Sequence, residues 1–230
     1  MPNPEQAGFT RESGPSTEAK FKFNVAVILI AGHPGTGKSR VAEILSQELG
    51  IKSVKLGNHF RKRALIRTGT GVTGFKERSL AEDIRMDGLQ QRLIRSATPA
   101  HPFILESKLG GFLVHQMREE AKRNNLPPPS VVTILFKASP EVRYKRVAKR
   151  EGITEEEAKA QTINRQTGDA TQWTKVHPEL AEIGDPLDPD NAGFMYDYVI
   201  DVEEPSALQV KESIFNLFSQ NNYIEERKAA

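Results

Sequence analysis

The chain has 230 residues, enough for one α/β domain with a large core and a small lid. Its 32 basic and 30 acidic residues nearly balance, so we expect neither nucleic acid nor a membrane surface as the main partner. The sequence contains no cysteine, which excludes disulfides, thiolate nucleophiles and cysteine-based metal sites.

The first 20 residues predict a disordered tail, because they are rich in proline and glycine and poor in apolar side chains. They lack the basic and then apolar pattern of a secretory signal, and no later apolar run is long enough to span a membrane. We therefore expect a cytoplasmic protein, either a monomer or a homodimer, whose folded domain covers residues 21–230.

A phosphate-binding motif begins at Gly32. Residues 32–39 are GHPGTGKS and match the pattern G-x-x-x-x-G-K-[ST] at every fixed position. The apolar run at 25–30 predicts a strand that is buried on both faces. After the motif, helical spacing of apolar residues predicts a helix over about 38–49 that ends at Gly50. Strand, glycine loop and helix thus follow in the order that a phosphate site requires.

The residue types of this loop indicate a site for a nucleoside triphosphate. Its glycines let successive backbone N–H groups turn inward, and the helix adds the positive end of its dipole. Lys38 supplies a mobile charge for the outer phosphates, and the Ser39 hydroxyl is suited to coordinate Mg²⁺. His33 is interpreted as tolerated variation. We predict that ATP and Mg²⁺ are bound by Gly32, Gly35, Thr36, Gly37, Lys38 and Ser39.

The rest of the chain alternates strands and helices. Apolar runs predict strands at 53–56, 102–106, 131–136 and 196–202. Helices are predicted from 58, over 77–95, 110–123 and 140–150, from 154, and over 207–219. Capping signals are Ser139 with Pro140, Thr154 with Glu157, and Ser206 with Gln209. Residues 184–193 predict an irregular loop, and the alternation as a whole indicates a parallel sheet with helices on both faces.

Four segments together resemble a known family. They are GHPGTGKS at 32–39, LGNHFR at 56–61, FILESKLGG at 103–111 and FKASPEVRYKRVAKREGITEEEA at 136–158. With DYVIDV at 197–202, they resemble the small P-loop nucleoside monophosphate kinases, above all the short cytidylate kinase-like proteins of archaea and some bacteria. Only the phosphate loop is specific by itself, and the other segments gain weight from their order.

This resemblance implies the P-loop NTPase fold, with a five-stranded parallel sheet, a helical acceptor-binding insert over about 58–100 and a lid over about 146–193. It implies ATP-dependent phosphoryl transfer to a nucleoside monophosphate, with CMP or dCMP as the expected acceptor. Gln172 stands where the family has a second lid arginine, and Lys108 where an arginine is usual. Glu106 is also a candidate for holding Mg²⁺. The expected acceptor-binding residues are Phe60, Arg61, Asp83, Asp87, Glu106 and Lys108.

Arginines after the fourth strand of the sheet are candidates for catalysis. Arg143, Arg146 and Arg150 share one helical face at i, i+3 and i+7. We hypothesise that Arg146, Arg150 and Arg165 join Lys38 in clamping the transferring phosphoryl group, because guanidinium forks suit phosphate oxygens. Arg146 is also expected to contact ATP. A solvated basic face, balanced by neighbouring glutamates, is the alternative interpretation.

Two other functions stay open from the sequence. A monophosphate acceptor is already an anion and needs no strong general base, which suits a chain without a histidine–aspartate base motif. A P-loop kinase for another small metabolite would instead use Glu106 or an aspartate as base. The third possibility is a nucleotide-binding regulatory module with weak NTPase activity.

Overall fold

The computed structural model describes residues 20–57 and 80–227 and has the predicted α/β architecture. Five parallel strands form the main sheet, and a separate antiparallel pair joins the two ends of the described chain. The strands are β1 (Phe21–Phe23), β2 (Val27–Gly32), β3 (Lys52–Lys55), β4 (Phe103–Glu106), β5 (Val131–Lys137), β6 (Tyr198–Asp201) and β7 (Ile224–Glu226). The main sheet has the order β3-β4-β2-β5-β6, which confirms the five-stranded parallel sheet. The β1–β7 pair was not predicted.

The centre of the sheet is β2 paired with β5. Every residue of β2 is buried, and its register with β5 runs from Val27 opposite Val131 to Gly32 opposite Phe136. A strand with no polar face requires cover on both sides of the sheet. The phosphate loop therefore starts in the middle of the sheet, at the carboxyl edge where folds of this class bind ligands.

Helices connect the strands at the predicted places, and two short helices, at Leu180–Ile183 and Pro189–Ala192, were not predicted. They are α1 (Lys38–Leu49), α2 (Leu80–Arg95), α3 (Gly110–Arg123), α4 (Pro140–Glu151), α5 (Glu155–Val176), α6 (Leu180–Ile183), α7 (Pro189–Ala192) and α8 (Ala207–Gln220). Gly50 ends α1 in a left-handed conformation, as predicted. The capping boxes at the starts of α5 and α8 are confirmed. Ser139 precedes α4, but its hydroxyl donates to Glu203 at 2.7 Å instead of capping the helix.

Two cores cover the two faces of the sheet. On one face α1 and α8 pack with Ile28, Ile30 and Ile134, and on the other α2 and α3 pack with Leu29 and Leu135. A third, small cluster joins α4 to the start of α5 through Val147, Ala148 and Ala158. The first turns of α5 thus pack on α4 rather than on the sheet.

The segment 184–193 is more ordered than predicted. It contains α7 and leads into a 3₁₀ turn at Gly193–Met195, so the expectation of a wholly irregular loop was wrong. Pro189 occupies the first turn of α7, and the Asp188 side chain accepts a hydrogen bond from the Asp190 backbone, which together start this short helix. Leu187 and Ala192 anchor the segment in the core at 2% and 0% exposure.

Some predictions lie outside the described residues. These are the tail up to residue 19, the helix from 58 and the part of the expected insert up to residue 79. Within residues 20–57 and 80–227, no helix has both the length and the apolar character needed to cross a membrane.

Candidate active site

The phosphate loop is fixed by its backbone. Gly35 has a φ of 89°, and a Cβ there would lie 2.5 Å from the carbonyl oxygen of Arg143, so only glycine lets α4 pack this closely. The carbonyl oxygen of His33 accepts hydrogen bonds from the Thr36 hydroxyl at 2.9 Å and from the Lys38 ammonium at 3.2 Å. The loop therefore holds its own lysine at the start of α1.

A hydroxyl and a carboxylate meet beside the loop. The Ser39 hydroxyl donates to one carboxylate oxygen of Glu106 at 2.6 Å. Glu106 is the last residue of β4, which pairs with β2, and it is 5% exposed. Its other oxygen has no hydrogen-bond partner among the described residues and lies 3.8 Å from the Lys55 ammonium. Oxygen ligands of this kind are those that Mg²⁺ prefers.

Several cations converge on Lys38. Burial in the loop, together with the charges of Lys108, Arg165 and Arg150, lowers the pKa of Lys38 to about 7, against the opposing charge of Glu106. These basic groups come from the loop, the end of β4, α4 and α5. The positive charge exceeds the negative charge at this point, which is the electrostatic requirement of a polyphosphate site.

The three arginines of α4 have different environments. Arg143 is buried, burial lowers its pKa, and two of its N–H groups have no partner in the described part of the chain. The Arg146 guanidinium donates to the backbone carbonyls of Val202 and Glu203, both at 2.8 Å. Arg150 is exposed, contacts Glu151, and its charge reaches Lys38. The structure thus brings Arg150 and Arg165 to the phosphate loop and places Arg146 against the chain after β6.

A buried polar layer lies where α2 faces the end of β4 and the end of α5. His177 contacts the Asp87 carboxylate at 2.9 Å, and the Gln90 amide donates to the other Asp87 oxygen at 3.4 Å. The Ser107 hydroxyl donates to Gln90 at 2.5 Å. Asp83, one turn before Asp87 on α2, is 3% exposed. Both predicted aspartates are therefore in the layer, and Asp87 is engaged with His177.

The remaining acceptor residues fall into two groups. Lys108 is close to Lys38 and forms an ion pair with Asp169 of α5. Phe60 and Arg61 lie outside the described residues, so their roles stay predictions.

Sequence reasoning missed the partners that hold these residues. His33 was interpreted as tolerated variation, but its ring contacts two other parts of the chain, Gln166 at 2.7 Å and Asp185 at 3.3 Å. Spacing on α5 offered one usable signal, since residues 165, 166 and 169 share a helix surface near the predicted clamp. The segment that contains Asp185 has no periodicity, so its position could not be predicted from the sequence.

Comparisons with known proteins agree with this geometry. The family model described as an AAA domain matches residues 28–165, more than half of the chain. A cytidylate kinase of Sulfolobus acidocaldarius is 36% identical over 155 residues, which are 65% of this chain and 75% of that protein. A cytidylate kinase of Methanopyrus kandleri is 32% identical over 181 residues, which are 78% of this chain and 86% of that protein.

Among solved structures, a shikimate kinase from Acinetobacter baumannii superposes with a TM-score of 0.52 at 13% identity, covering 86% of this chain and 95% of that one. This likeness shows the fold alone. The sequence relatives, the matched family model and the glycine loop on a five-stranded parallel sheet lead to one conclusion: the chain belongs to the cytidylate kinase-like family of ATP-dependent P-loop nucleoside monophosphate kinases.

Proposed function

We propose that this kinase transfers the γ-phosphoryl group of ATP to CMP or dCMP. The observation that carries the proposal is the excess of positive charge around Lys38, at the end of a glycine loop built for phosphates. The choice of a cytidine nucleotide is supported by the names of the relatives in Sulfolobus acidocaldarius and Methanopyrus kandleri.

On the donor side, the loop amides and α1 hold the phosphates of ATP. Lys38, Arg150 and Arg165 neutralise the charge that spreads over the equatorial oxygens of the transferring group. Arg146 is proposed to support ATP binding from α4, where it fixes the backbone that follows β6. Phosphoryl transfer needs little more than this positioning and charge neutralisation.

The residues beside the loop fit a magnesium ion. Ser39 and Glu106 offer hard oxygen ligands, and one buried Glu106 oxygen has no hydrogen-bond partner within the described ranges. We propose that these two residues hold Mg²⁺, directly or through water. When bound, the ion would neutralise charge on the β- and γ-phosphate oxygens.

The acceptor side favours a phosphate over a hydroxyl. A hydroxyl acceptor needs a positioned carboxylate base. Four carboxylates of the site already have partners: Asp185 with His33, Asp87 with His177, Asp169 with Lys108, and Glu106 with Ser39. A monophosphate needs no such base.

Within that site, each acceptor residue has a proposed partner on the nucleotide. Lys108 and Arg61 are proposed to bind the acceptor phosphate, because both are cations. Asp83 or Asp87 is proposed to accept a hydrogen bond from the base amine or a ribose hydroxyl, and Phe60 to lie beside the base.

A substrate panel tests the proposal. Purified protein with Mg-ATP is incubated with CMP, dCMP, UMP, AMP, GMP, shikimate or gluconate, and ADP release is measured. We expect turnover with CMP or dCMP to exceed that with every other compound by at least about tenfold, which corresponds to about 1.4 kcal/mol of discrimination. Fast release only with a hydroxyl compound, or tight ATP binding without release, would contradict the proposal.

Two lysine substitutions distinguish a catalytic role of Lys38 from a general effect of removing one positive charge. Replacing Lys38 with Ala removes a charge from the phosphate loop and should lower kcat by about 10²–10³-fold. Lys159→Ala removes an equal charge from an exposed position on α5 and should leave kcat unchanged.

A further inference from the structure

The side chain of His33 connects three parts of the molecule. Its Nδ1 lies 2.7 Å from the Gln166 amide nitrogen of α5, and its Nε2 lies 3.3 Å from the Asp185 carboxylate. With the proton on Nε2, the ring donates to Asp185 and accepts from Gln166, so one neutral tautomer satisfies both partners. We call these three side chains the His33 bridge.

The backbone of the same residue holds the catalytic lysine. The His33 carbonyl oxygen accepts from the Lys38 ammonium at 3.2 Å and from the Thr36 hydroxyl at 2.9 Å. Ring and carbonyl belong to one residue, so contacts that hold the ring also restrict the backbone that presents the acceptor of Lys38. The His33 side chain is 14% exposed, which leaves it little freedom to turn away.

Asp185 is a fixed end of the bridge. Its second carboxylate oxygen accepts from the Leu187 backbone at 2.9 Å, and Leu187 is buried in the core. The Tyr196 hydroxyl donates to the carbonyl of Pro186 at 2.9 Å, which ties the same turn to the buried Tyr196 ring. Burial alone would raise the pKa of Asp185, but the hydrogen bond from His33, with the Leu187 backbone N–H and the charge of Lys108, holds it below its ordinary value. The carboxylate is therefore kept ionised beside the ring.

Gln166 is the end that belongs to the lid. It follows Arg165 directly and lies one turn before Asp169, which pairs with Lys108. These three residues share a surface of α5 that faces the phosphate loop. The position of Gln166 on the His33 ring is therefore coupled to the position of Arg165 above the loop.

We propose that His33 is a positioning residue that couples closure of α5 to the placement of Lys38. Asp185 holds one ring nitrogen to the core, and Gln166 engages the other when α5 lies over the loop. In this state the His33 carbonyl positions Lys38 at the same time as α5 positions Arg165. Both cations therefore reach the phosphates in the same conformation. The proposal rests on the phosphoryl transfer proposed above but is independent of the identity of the acceptor base.

The test is a double-mutant cycle of His33→Ala and Gln166→Ala, assayed with whichever monophosphate the wild-type protein turns over. Gln166→Ala loses one hydrogen bond of the closed arrangement and should lower kcat about tenfold, and His33→Ala, which also loses the contact with Asp185, should lower kcat at least as much. The KM for ATP should stay within about twofold, because the loop amides still bind the phosphates. The double variant should be no slower than the slower single variant, because both changes break the same link.

Matched controls come from the same residue types. Gln161→Ala removes an exposed glutamine one turn earlier on α5, and His101→Ala removes an exposed histidine before β4. Both should keep wild-type kcat, and all variants should unfold within a few degrees of the wild type. Multiplying losses in the double variant, wild-type kcat in Gln166→Ala, or a change confined to KM would each overturn the proposal.

A second measurement, tryptophan fluorescence, tests the His33 bridge independently of the proposed function. Trp173 is the only tryptophan of the chain and lies two turns after Gln166 on α5, so its fluorescence reports how this helix responds to Mg-ATP. If the wild type transfers phosphate to no compound, the proposed function fails and the cycle is evaluated on the Mg-ATP-induced fluorescence change. Non-additive losses of that change support the bridge, and additive losses overturn it.

Discussion

The phosphate loop and helix α5, the proposed lid, meet at one site but are held there by different forces. The loop follows a completely buried strand, and its glycine at position 35 packs against the backbone of α4. Helix α5 has 22 residues, of which only Ala158, Thr162, Asp169 and Trp173 are buried. Its middle is held to the site by polar side chains, through Gln166 on His33 and Asp169 on Lys108.

This difference explains how one fold combines a fixed site with an adjustable cover. Backbone packing in a dense core changes only at the cost of several kcal/mol, so we expect the loop backbone to shift little when nucleotide binds. A hydrogen bond contributes about 0.5–1.5 kcal/mol, which ligand contacts can readily replace. We infer that binding energy reorganises α5 and changes the loop backbone much less.

The largest effect is expected on kcat, and it distinguishes Arg165 of the proposed lid from Arg146, which supports the structure. Arg165→Ala removes an exposed guanidinium whose charge reaches Lys38, so kcat should fall about 10²-fold while Tm changes by less than about 2 °C. Arg146→Ala instead breaks two hydrogen bonds of 2.8 Å to the chain after β6. It should cost about 1–3 kcal/mol of stability, or several degrees in Tm.

Steady-state kinetics and thermal unfolding of both variants check this contrast. Lys145→Ala, at an exposed position of α4, is the charge-matched control and should change neither quantity. A fall in kcat without loss of stability in Arg146→Ala would instead favour the original hypothesis that Arg146 belongs to the clamp.

Two glycine-to-alanine substitutions should change the free energy of unfolding in opposite directions, one in the phosphate loop and one in α5. Gly35→Ala puts a side chain at a φ of 89° and against the Arg143 carbonyl, which should destabilise the protein by about 1–3 kcal/mol and weaken ATP binding. Gly168→Ala lies inside α5 with open space around its Cβ position. It should stabilise the protein by about 0.5–1 kcal/mol through helix propensity.

Denaturant unfolding measures both values in one experiment. If Gly168→Ala also lowers kcat, α5 must bend or tighten at this point during the reaction. Equal destabilisation by the two substitutions would contradict the distinction between a backbone-fixed loop and a side-chain-held lid.

The sheet was predictable because its signals are local and repeated. Continuous apolar runs located its central strands, and Gly50 with the capping boxes at Thr154 and Ser206 located helix ends within a residue or so. The β1–β7 pair escaped prediction because its strands are three residues long and lie at opposite ends of the domain. A short strand has no measurable period, and its partner is set by tertiary contacts alone.

The site was predictable only where chemistry is tied to spacing. The glycine loop, Lys38 and Ser39 follow from one motif, and Glu106 follows from its place at a strand end. Pairings such as Asp87 with His177, or His33 with Asp185, join residues 90 and 152 positions apart in the sequence. Charge patterns along a single chain do not specify such partners, so the contacts of Gln166 and Asp185 with His33 came from the structure, whereas the lid itself and Arg165 were predicted from the sequence.

The pH dependence of nucleotide binding tests the electrostatics of the loop directly. In the nucleotide-free protein the pKa of Lys38 is about 7, whereas a neighbouring phosphate stabilises the ammonium form and raises that pKa. Below pH 7, Lys38 is charged before and after binding. Above pH 7, binding takes up a proton, so the Kd for ADP should rise with pH by up to about tenfold per unit.

Calorimetric titration with ADP between pH 7 and 9, in EDTA so that no metal contributes, measures this dependence, and two buffers of different ionisation enthalpy count the proton taken up. Lys38→Arg is the matched control, because a guanidinium stays charged throughout this range and should give a nearly constant Kd. The same pH dependence in both proteins would assign the proton to another group. Loss of the dependence in the arginine variant would locate the proton on Lys38, in the backbone-fixed half of the site. There, burial and the surrounding cations hold the pKa of the lysine low until a phosphate binds.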